Sequence, residues 1–420
     1  MTPPVSDAVG VRPPGEVRGI CFSFFACGTF LPPIPGRNGG LVNELTRRGH
    51  RVFYYDYPPV RLRSLVSRRL RELCSLPVPL RPRFDPNQNP TLIPAPIAAP
   101  AFKLTGLTRR IERMRLRRVL RPRIELPFRL EPERCHVALV DNPWWRPFVK
   151  LDHYRLVCYD LMDHFEVFSG KFDYRRFEVW EHELLKMSNV VFYSAESLRE
   201  YAASRTQARM VSLPNAGDAE FFRHQAATLP VPADIAAVPG PRVGFVGAIF
   251  RWLDFNLMAQ VMKSMPEVSF VFIGPVENWQ RLAALTELAN FHHLGVKPYS
   301  GVAAYVAAFD VCICPFKTDD VGQAVDPVKV YDYFALGKPV VTTRIREMAK
   351  LHPLAYVADS PEQFAQCIRQ ALAEKNPELT AGRVEHARAN SWSRRVDLLL
   401  SVIEEELRRE ELHRSTDGPR

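Results

Sequence analysis

The chain has 420 residues and a formal net charge of +10 at pH 7, with 46% hydrophobic and 24% charged residues. These fractions are those of a soluble globular protein, and the length favours two domains over one core. No apolar run approaches the ~20 residues that span a bilayer, and the first sixteen residues lack the basic and apolar regions of a signal peptide. We therefore expect a cytoplasmic protein.

The eight cysteines are scattered along the chain, and most of them lie in apolar runs that resemble strands. Cys312 and Cys314 alternate within one such run, and no second pair with metal-ligand spacing accompanies them. The sequence therefore predicts buried, reduced thiols and no metal site.

The positive charge is concentrated in residues 61–123, where sixteen Lys and Arg stand against three acids. Residues 61–73 and 107–120 are predicted to be Arg-rich helices with interleaved apolar residues, and the Pro-rich residues 77–100 between them are predicted to lack regular structure. Such segments suit an anionic membrane surface. Nucleic-acid binding is the rival, but no nucleic-acid motif is present, and a solvated insertion without a partner remains the third interpretation.

In the first half, an N-terminal tail (1–18) that we expect to be disordered precedes a buried strand over 19–29, a Gly- and Pro-rich loop, a helix that begins after Gly39 and Gly40, and a second strand. Residues 58–134 interrupt this rhythm as an insert. Strands and helices alternate again from residue 136 to the end of this domain, 19–228, and Ser194 is predicted to cap a helix.

A linker over 229–241 precedes a second domain, 242–385, in which strands and helices alternate regularly. Asp254 is predicted to cap its first helix. Alternating strands and helices predict an α/β fold with two doubly wound parallel sheets. Residues 386–420 contain a long amphipathic helix.

Two groups of polar residues suggest chemistry. Asp160, Asp163 and His164 follow one strand, at the sheet edge where open α/β sheets bind ligands. Pro327 suits the first turn of a short helix that Gly337 ends, and this helix carries Lys329 and Asp332. A cation beside a helix N-terminus can hold phosphate, and a carboxylate can hold sugar hydroxyls. The alternative is an ordinary helix with two solvated charges.

A set of short motifs occurs in an order and spacing that resembles GT-B glycosyltransferases of the retaining family related to sucrose and glycogen synthases. The variant YDLMDHFEVFSG resembles the bacterial branch that makes teichuronic-acid-type and other surface polysaccharides. The ordered motifs are GHRV, PNAGDAEFF, VGFVGAI, VFIGP, FHHLG, DVCICPF and PVKVYDYFALGKPVV, followed by SWSRRVDLLL.

The resemblance implies two Rossmann-like domains that face a central cleft, with the last helix crossing back to the first domain. It also implies roles in binding a nucleotide-sugar donor. Asp332 would hold the ribose, and the backbone at Val328 and Lys329 would meet the diphosphate. The remaining expected donor contacts are glycines and one lysine of the second domain: Gly247, Gly274, Gly295 and Lys297.

By the same resemblance, Lys329 and Arg251 would neutralise the leaving diphosphate. Four residues of the first domain would face the donor sugar or the acceptor: Gly39, Gly40, Asp163 and His164. We expect Asp163, His164, Lys329 and Arg251 to be the catalytic group, without a metal and without a cofactor other than the donor.

The chain departs from the family at one position. The family carries two glutamates eight residues apart, and the first of them, which touches the sugar, corresponds here to Ala324. Asp319, Gln323 and Asp326 are the candidates to replace it. The lysine that usually follows the first strand of the second domain is also missing.

The resemblance implies transfer from a UDP- or GDP-linked sugar to a saccharide or lipid-linked acceptor, with retention and without a metal. The anionic membrane surface is a further expected partner, through residues 61–123, and nucleic acid is not. The alternatives are a GT-B nucleotide-sugar epimerase that transfers nothing and a degenerate GT-B scaffold, which the alanine at position 324 would favour.

Overall fold

The computed structural model describes residues 19–26, 36–55, 87–93, 106–163 and 174–416. The predicted tail 1–18, the predicted helix 61–73 and His164 lie outside these ranges. Within them, no helix combines the length and the apolarity needed to cross a bilayer.

The first sheet has seven parallel strands in the order β3-β2-β1-β4-β5-β6-β7. Nearly every residue of its central strands is buried, because helices cover both faces. The strands are β1 (Ile20–Phe25), β2 (Arg51–Tyr55), β3 (Thr91–Ile93), β4 (Cys135–Val140), β5 (Leu156–Leu161), β6 (Val190–Tyr193) and β7 (Arg209–Ser212).

The second sheet has six parallel strands in the order β10-β9-β8-β11-β12-β13, so the predicted α/β fold with two doubly wound sheets is confirmed. Cys312 and Cys314 are free and buried in its central strand, as predicted. The strands are β8 (Arg242–Val246), β9 (Ser269–Ile273), β10 (Phe291–His293), β11 (Val311–Cys314), β12 (Val340–Thr343) and β13 (Ala355–Ala358).

The helices of the first domain flank its sheet on both sides. They are α1 (Arg37–Arg47), α2 (Gly106–Ile124), α3 (Leu126–Leu130), α4 (Tyr174–Met187) and α5 (Glu196–Ala203). Helix α6 (Ala219–Thr228) follows them in the chain but packs against helices of the second domain, and its Ala219 and Phe222 join the core of that domain.

The linker and the second domain contribute the remaining helices. They are α7 (Ala233–Ala236), α8 (Phe255–Ser264), α9 (Ala283–Thr286), α10 (Tyr299–Ala307), α11 (Asp320–Gln323), α12 (Val328–Ala335), α13 (Arg346–Ala349), α14 (Pro361–Ala373), α15 (Pro377–Ala389) and α16 (Trp392–Thr416).

One strand lies where none was predicted, within the Pro-rich residues 77–100. Strand β3 pairs in parallel with β2 at the edge of the first sheet. The side chain of Asn89 connects the residues before β3 to the start of β2. It accepts a hydrogen bond from the N–H of Val52 (3.0 Å) and donates one to the carbonyl of His50 (2.8 Å). The prediction that the whole segment lacks regular structure is therefore wrong, whereas the helix predicted over 107–120 is confirmed by α2.

The two predicted helix caps had different outcomes. Asp254 caps α8, as its carboxylate accepts from the N–H of Leu257 at 2.9 Å. Ser194 does not cap α5, whose N-cap is Ala195; the Ser194 hydroxyl donates instead to the carbonyl of Met162 at 2.8 Å. That bond ties the start of α5 to the segment that carries Asp163.

Helix α16 begins in the second half of the chain and packs against α1 on the first sheet, where Trp392, Val396 and Ile403 join its buried core. The sequence predicts that this helix begins after Gly39 and Gly40, but α1 begins at Arg37, so both glycines lie in its first turn. A Cβ on Gly40 would lie 2.2 to 2.5 Å from ring atoms of Trp392. A glycine at this position therefore lets the two helices meet.

We predict that Gly40→Ala destabilises the protein, because the added methyl group displaces the Trp392 ring from a packed core. The expected loss is about 1–3 kcal/mol in the free energy of unfolding, measured by denaturant or thermal unfolding. Gly301→Ala is the matched control. Gly301 also lies in the first turn of a helix, α10, but a Cβ there meets nothing within 4 Å. Equal stability of the two variants would contradict the packing role of Gly40.

Candidate functional site

The short helix α12 forms as the sequence predicts. Pro327 is its N-cap, Gly337 follows its end with φ 68°, and Tyr331, Phe334 and Ala335 are buried on one side. Because strand β12 follows closely, the C-terminal end of the helix is anchored to the second sheet. Lys329 and Asp332 lie one turn apart on this anchored helix, and both are only half-buried.

The Lys329 ammonium is held by aromatic rings and not by polar groups. Its Nζ lies 4.9 Å from the ring centroid of Phe316 and 5.2 Å from that of Phe245. Among the described residues, no hydrogen-bond acceptor contacts this nitrogen. Burial lowers the pKa of Lys329, although the nearby Cys314 and Asp332 act in the opposite direction. An anion that pairs with the lysine would therefore offset the free-energy cost of its burial.

Asp332 shows the complementary pattern. Burial raises the pKa of Asp332 well above its ordinary value, the neighbouring Asp218 raises it further, and Lys329 lowers it. No donor within the described part of the chain bonds to this carboxylate. The turn that contains Gly217 lies against it, since a Cβ on Gly217 would be 3.1 Å from Asp332 Oδ1. A half-buried carboxylate without a donor is suited to accept hydrogen bonds from a ligand's hydroxyls.

Three glycines with positive φ lie within two residues of the ends of the neighbouring strands β8, β9 and β10: Gly247 (142°), Gly274 (141°) and Gly295 (75°). Their backbones are in close contact. The N–H of Gly274 donates to the carbonyl of Gly295 at 2.9 Å, and a Cβ on Gly274 would lie 2.0 Å from the carbonyl oxygen of Gly247. A Cβ on Gly247 would lie 2.9 Å from Lys329 Cε. The sheet edge beside the lysine is thus bare backbone, which a ligand could approach closely.

Arg251 and Lys297 lie in different surroundings. Arg251 is half-buried in the segment after β8, and its backbone N–H donates to the Glu277 carboxylate at 3.1 Å. Lys297 pairs with Asp234 of the linker at 2.6 Å and lies over the Tyr305 ring. Asp234 of the linker therefore already balances the charge of Lys297. The contacts of Lys297 and Arg251 with a nucleotide stay predictions.

A second polar cluster joins the two domains. Arg37, at the start of α1, is buried and makes two hydrogen bonds to Asp160 at 2.6 and 2.7 Å and one to Asn215 Oδ1 at 3.2 Å. Asn215, in the turn after β7, donates its backbone N–H to Asp326 Oδ2 and its side-chain amide to the Asp326 carbonyl, both at 2.6 Å. Asp326 directly precedes α12, so the two clusters are adjacent along the chain.

Two carboxyl groups near this junction titrate close to neutral pH. Burial raises the pKa of Asp163 to about 7, with Arg37 opposing the shift. Burial also raises the pKa of Asp326 to about 6, and the Asn215 N–H opposes that shift. Shifted carboxyl groups in a cleft are suited to move protons. Of the predicted pair Asp163 and His164, the structure describes only the first.

Ala324 stands at the position where the resemblance implies a glutamate, and its side chain is packed against other side chains. Ala324 is buried against the apolar core of the first domain, so it contacts no open space for a sugar. Asp319 caps α11 through the N–H of Gly322, and Gln323 bonds to the backbone of Arg344 and Arg346. Both therefore have local structural roles. Asp326 has one as well, because its carboxylate accepts a hydrogen bond from the N–H of Asn215. Replacement of the glutamate by one of these three residues therefore stays a prediction.

Sequence reasoning missed Arg37, Asn215 and Arg395 as members of this junction. Arg395 of α16 donates to the carbonyls of Pro214 and Asn215, at 2.9 and 3.2 Å. A usable signal existed for two of them, because Arg37 and Asn215 each lie in the segment that follows a predicted strand. Arg395 carries no such signal, since only the packing of α16 brings it here.

The predicted glycines of α1 lie close to this junction. Gly40 contacts Trp392, which accounts for its identity, and Gly39 is buried beside it. Their expected contact with a donor sugar or acceptor stays a prediction. Within the described ranges, no group of three or more His, Cys, Asp or Glu side chains is arranged to hold a metal ion.

Comparison with solved structures supports the architecture. Sucrose-phosphate synthase from Thermosynechococcus elongatus superposes with a TM-score of 0.64 at 14% identity, over 92% of this chain and 99% of that chain. Anabaena Alr3699/HepE in complex with UDP and glucose superposes with a TM-score of 0.62 at 11% identity, again over 92% of this chain and 99% of that chain. At these identities the likeness establishes the fold.

Sequence comparison addresses the family. A protein of Bacillus subtilis (strain 168), named as teichuronic acid biosynthesis glycosyltransferase TuaH, is 28% identical over 158 residues. These residues are 36% of this chain and 40% of that relative, so less than half of the relative's length is matched. Residues 240–374 match the family Glycosyl transferases group 1. The chain therefore has the GT-B fold, and residues 240–374 of its second domain are similar to the group 1 glycosyl transferases.

Proposed function

We propose that this protein is a glycosyltransferase that moves a sugar from a nucleoside-diphosphate sugar to a saccharide or lipid-linked acceptor in cell-surface polysaccharide synthesis. One observation carries the proposal: Lys329 and Asp332 lie one turn apart, and neither has a hydrogen-bonding partner among the described residues. A cation and a carboxylate so placed match the diphosphate and the ribose of such a donor.

At the nucleotide end, the Lys329 ammonium would pair with the diphosphate, and the free N–H groups of the first turn of α12 would donate to it. The bare backbone at Gly247 and Gly274 would admit the phosphates. Asp332 in its ionised form would accept hydrogen bonds from the ribose hydroxyls. Arg251 is the second cation that we propose for the leaving group.

At the sugar end, Asp163 and Asp326 would face the donor sugar and the acceptor, with Arg37 holding Asp160 and Asn215 in place. The bond between the sugar C1 and the β-phosphate oxygen breaks, and the electron pair leaves with the diphosphate. The acceptor hydroxyl attacks C1 from the same face, and the diphosphate takes its proton. Lys329 and Arg251 stabilise the developing negative charge, which requires no metal.

The donor and the acceptor are proposed by class. The structural likeness to a protein solved with UDP and glucose favours a UDP-linked donor over a GDP-linked one. The likeness to a protein named for teichuronic acid biosynthesis favours a surface polysaccharide as the product. The burial of Ala324 favours a second candidate, a GT-B scaffold that catalyses no transfer.

The test is a panel of UDP- and GDP-linked sugars, incubated with the protein and EDTA with and without a crude lipid-linked saccharide fraction. We expect one donor to release its nucleoside diphosphate, and more of it when acceptor is present. A protein that binds and consumes no donor would be a scaffold. Isomerisation of the donor without release of diphosphate would identify an epimerase instead.

We predict that Lys329→Gln and Asp332→Asn each weaken binding of the nucleoside diphosphate ~10–100-fold, as expected from the loss of one charge-assisted hydrogen bond. Lys329→Gln should also slow turnover, because the leaving diphosphate loses its counter-charge. Isothermal titration and donor consumption provide the two measurements.

Lys263→Gln and Glu287→Gln are the controls for these two variants, since both residues are exposed in the same domain, Lys263 on α8 and Glu287 directly after α9. They should bind the nucleotide as the wild type does. Wild-type affinity in Lys329→Gln and Asp332→Asn would show that the nucleotide is held elsewhere.

Nucleotide affinity should also depend on pH through Lys329. Binding requires the ammonium form, and the lowered pKa of Lys329 means that this form is lost at a lower pH than in an exposed lysine. The contribution of Lys329 to affinity should therefore be lost before the pH reaches the ordinary lysine value of about 10.4. Lys329→Gln should bind weakly throughout and lack this part of the decline. Titration of the nucleobase affects binding to the wild type and to Lys329→Gln equally. Parallel pH profiles of the two proteins would therefore contradict the assignment of Lys329 to the diphosphate.

A further inference from the structure

The first domain contains a cavity of about 870 Å³ outside the cleft. It lies between α2, α3 and the segment 146–154, and its lining combines two kinds of residue. Aromatic and aliphatic side chains, including Phe128, Phe148 and Tyr154, form one part, and basic side chains form the other. A site of this composition accommodates a ligand that is both anionic and apolar.

The basic part carries uncompensated charge. Five Arg and Lys residues and two acids line the cavity, a balance of +3. Arg121 pairs with Glu125 at 2.8 Å and Arg146 with Glu183 at 3.0 Å. Arg118 and Lys150 are exposed, and no carboxylate in the described ranges forms an ion pair with either of them. These two cations are therefore available to an anion from outside.

The outer face of α2 continues the apolar character beyond the cavity. Ile111 and Met114 lie two turns and one turn before Arg118, respectively, on the same side of the helix and are 52% and 56% exposed. Met187, at the end of α4, lines the cavity and is 39% exposed. Large exposed apolar side chains interspersed with arginines are typical of a surface that enters a membrane interface.

The cavity is separate from the proposed donor site. Phe128 and Tyr154 come shortly before β4 and β5, so this part of the lining lies at the amino edge of the first sheet. Asp160 and Asp163 lie at the carboxyl edge of the same sheet, roughly 20 Å away along a strand of six residues. The ligand of the cavity is therefore not the nucleotide sugar.

We propose that this cavity binds an anionic phospholipid of a membrane surface, with the phosphate against Arg118 and Lys150 and the acyl chain on the aromatic part of the lining. Ile111 and Met114 then enter the same interface. A soluble phosphate ester has no group for the apolar part, and a nucleic-acid duplex is too wide to enter a concave site of this volume. An anionic lipid satisfies both parts.

The first test is co-sedimentation of the full chain with vesicles, without any donor, so that its outcome does not depend on the proposed reaction. The protein should bind vesicles of phosphatidylcholine with about 30% phosphatidylglycerol and not vesicles of phosphatidylcholine alone. The double variant Arg118→Glu/Lys150→Glu should reduce binding about tenfold or more, as two basic contacts are lost.

The matched control is Arg394→Glu/Arg408→Glu, which makes the same change in net charge at two exposed positions of α16. It should bind the anionic vesicles within about twofold of the wild type. Thermal unfolding checks that both variants are folded. Equal losses in the two variants would show a diffuse electrostatic effect and would overturn the proposed cavity site.

The second test separates the lipid from other phosphates. Monomeric dihexanoyl-phosphatidylglycerol should bind to the wild type. Its affinity should fall about tenfold in Met187→Asp, because the acyl chain of the lipid loses an apolar contact. Glycerol phosphate should bind at least tenfold more weakly than the short-chain lipid. Equal binding of the two ligands would overturn the lipid assignment. The lipid assignment would also be overturned if Arg118→Glu/Lys150→Glu abolished binding of duplex RNA or DNA and left vesicle binding unchanged.

Discussion

The arrangement of the two domains depends on how the Arg37 guanidinium is satisfied. A buried arginine without partners would cost several kcal/mol, and Arg37 avoids that cost through two hydrogen bonds to Asp160 and one to Asn215. Asn215 in turn holds Asp326 of the second domain by its backbone and its side chain. This continuous set of hydrogen bonds connects the first domain to the segment before α12.

Lys329 and Asp332 differ from this network in one physical respect. The polar groups around Arg37 satisfy one another, so their main effect is to hold the junction in place. Among the residues that the structure describes, the ammonium of Lys329 lies against ring faces and has no hydrogen-bond acceptor. The carboxylate of Asp332 lies against a glycine turn and near the like charge of Asp218, and no donor in the same part of the chain bonds to it. Burial without polar partners costs free energy that a bound ligand can recover. We therefore propose that the donor binds at these two residues and that the junction positions them.

Much of the fold could be predicted because parallel strands that are buried on both faces appear as apolar runs. The same reasoning identified helix α12 with Lys329 and Asp332. It missed β3, whose three residues lie among prolines and depend on Asn89 for their position. It also missed the junction, because Arg37 lies 123 residues from Asp160 and 178 from Asn215, and no local pattern records such a contact.

The central claim is that the second domain holds a nucleoside diphosphate through α12. The most direct measurement is a crystal structure with the nucleoside diphosphate that binds most tightly. The account predicts a phosphate oxygen about 3 Å from Lys329 Nζ and a ribose hydroxyl at a similar distance from the Asp332 carboxylate. A well-ordered nucleotide bound elsewhere, with Lys329 still lying between Phe245 and Phe316 and without a phosphate, would contradict it.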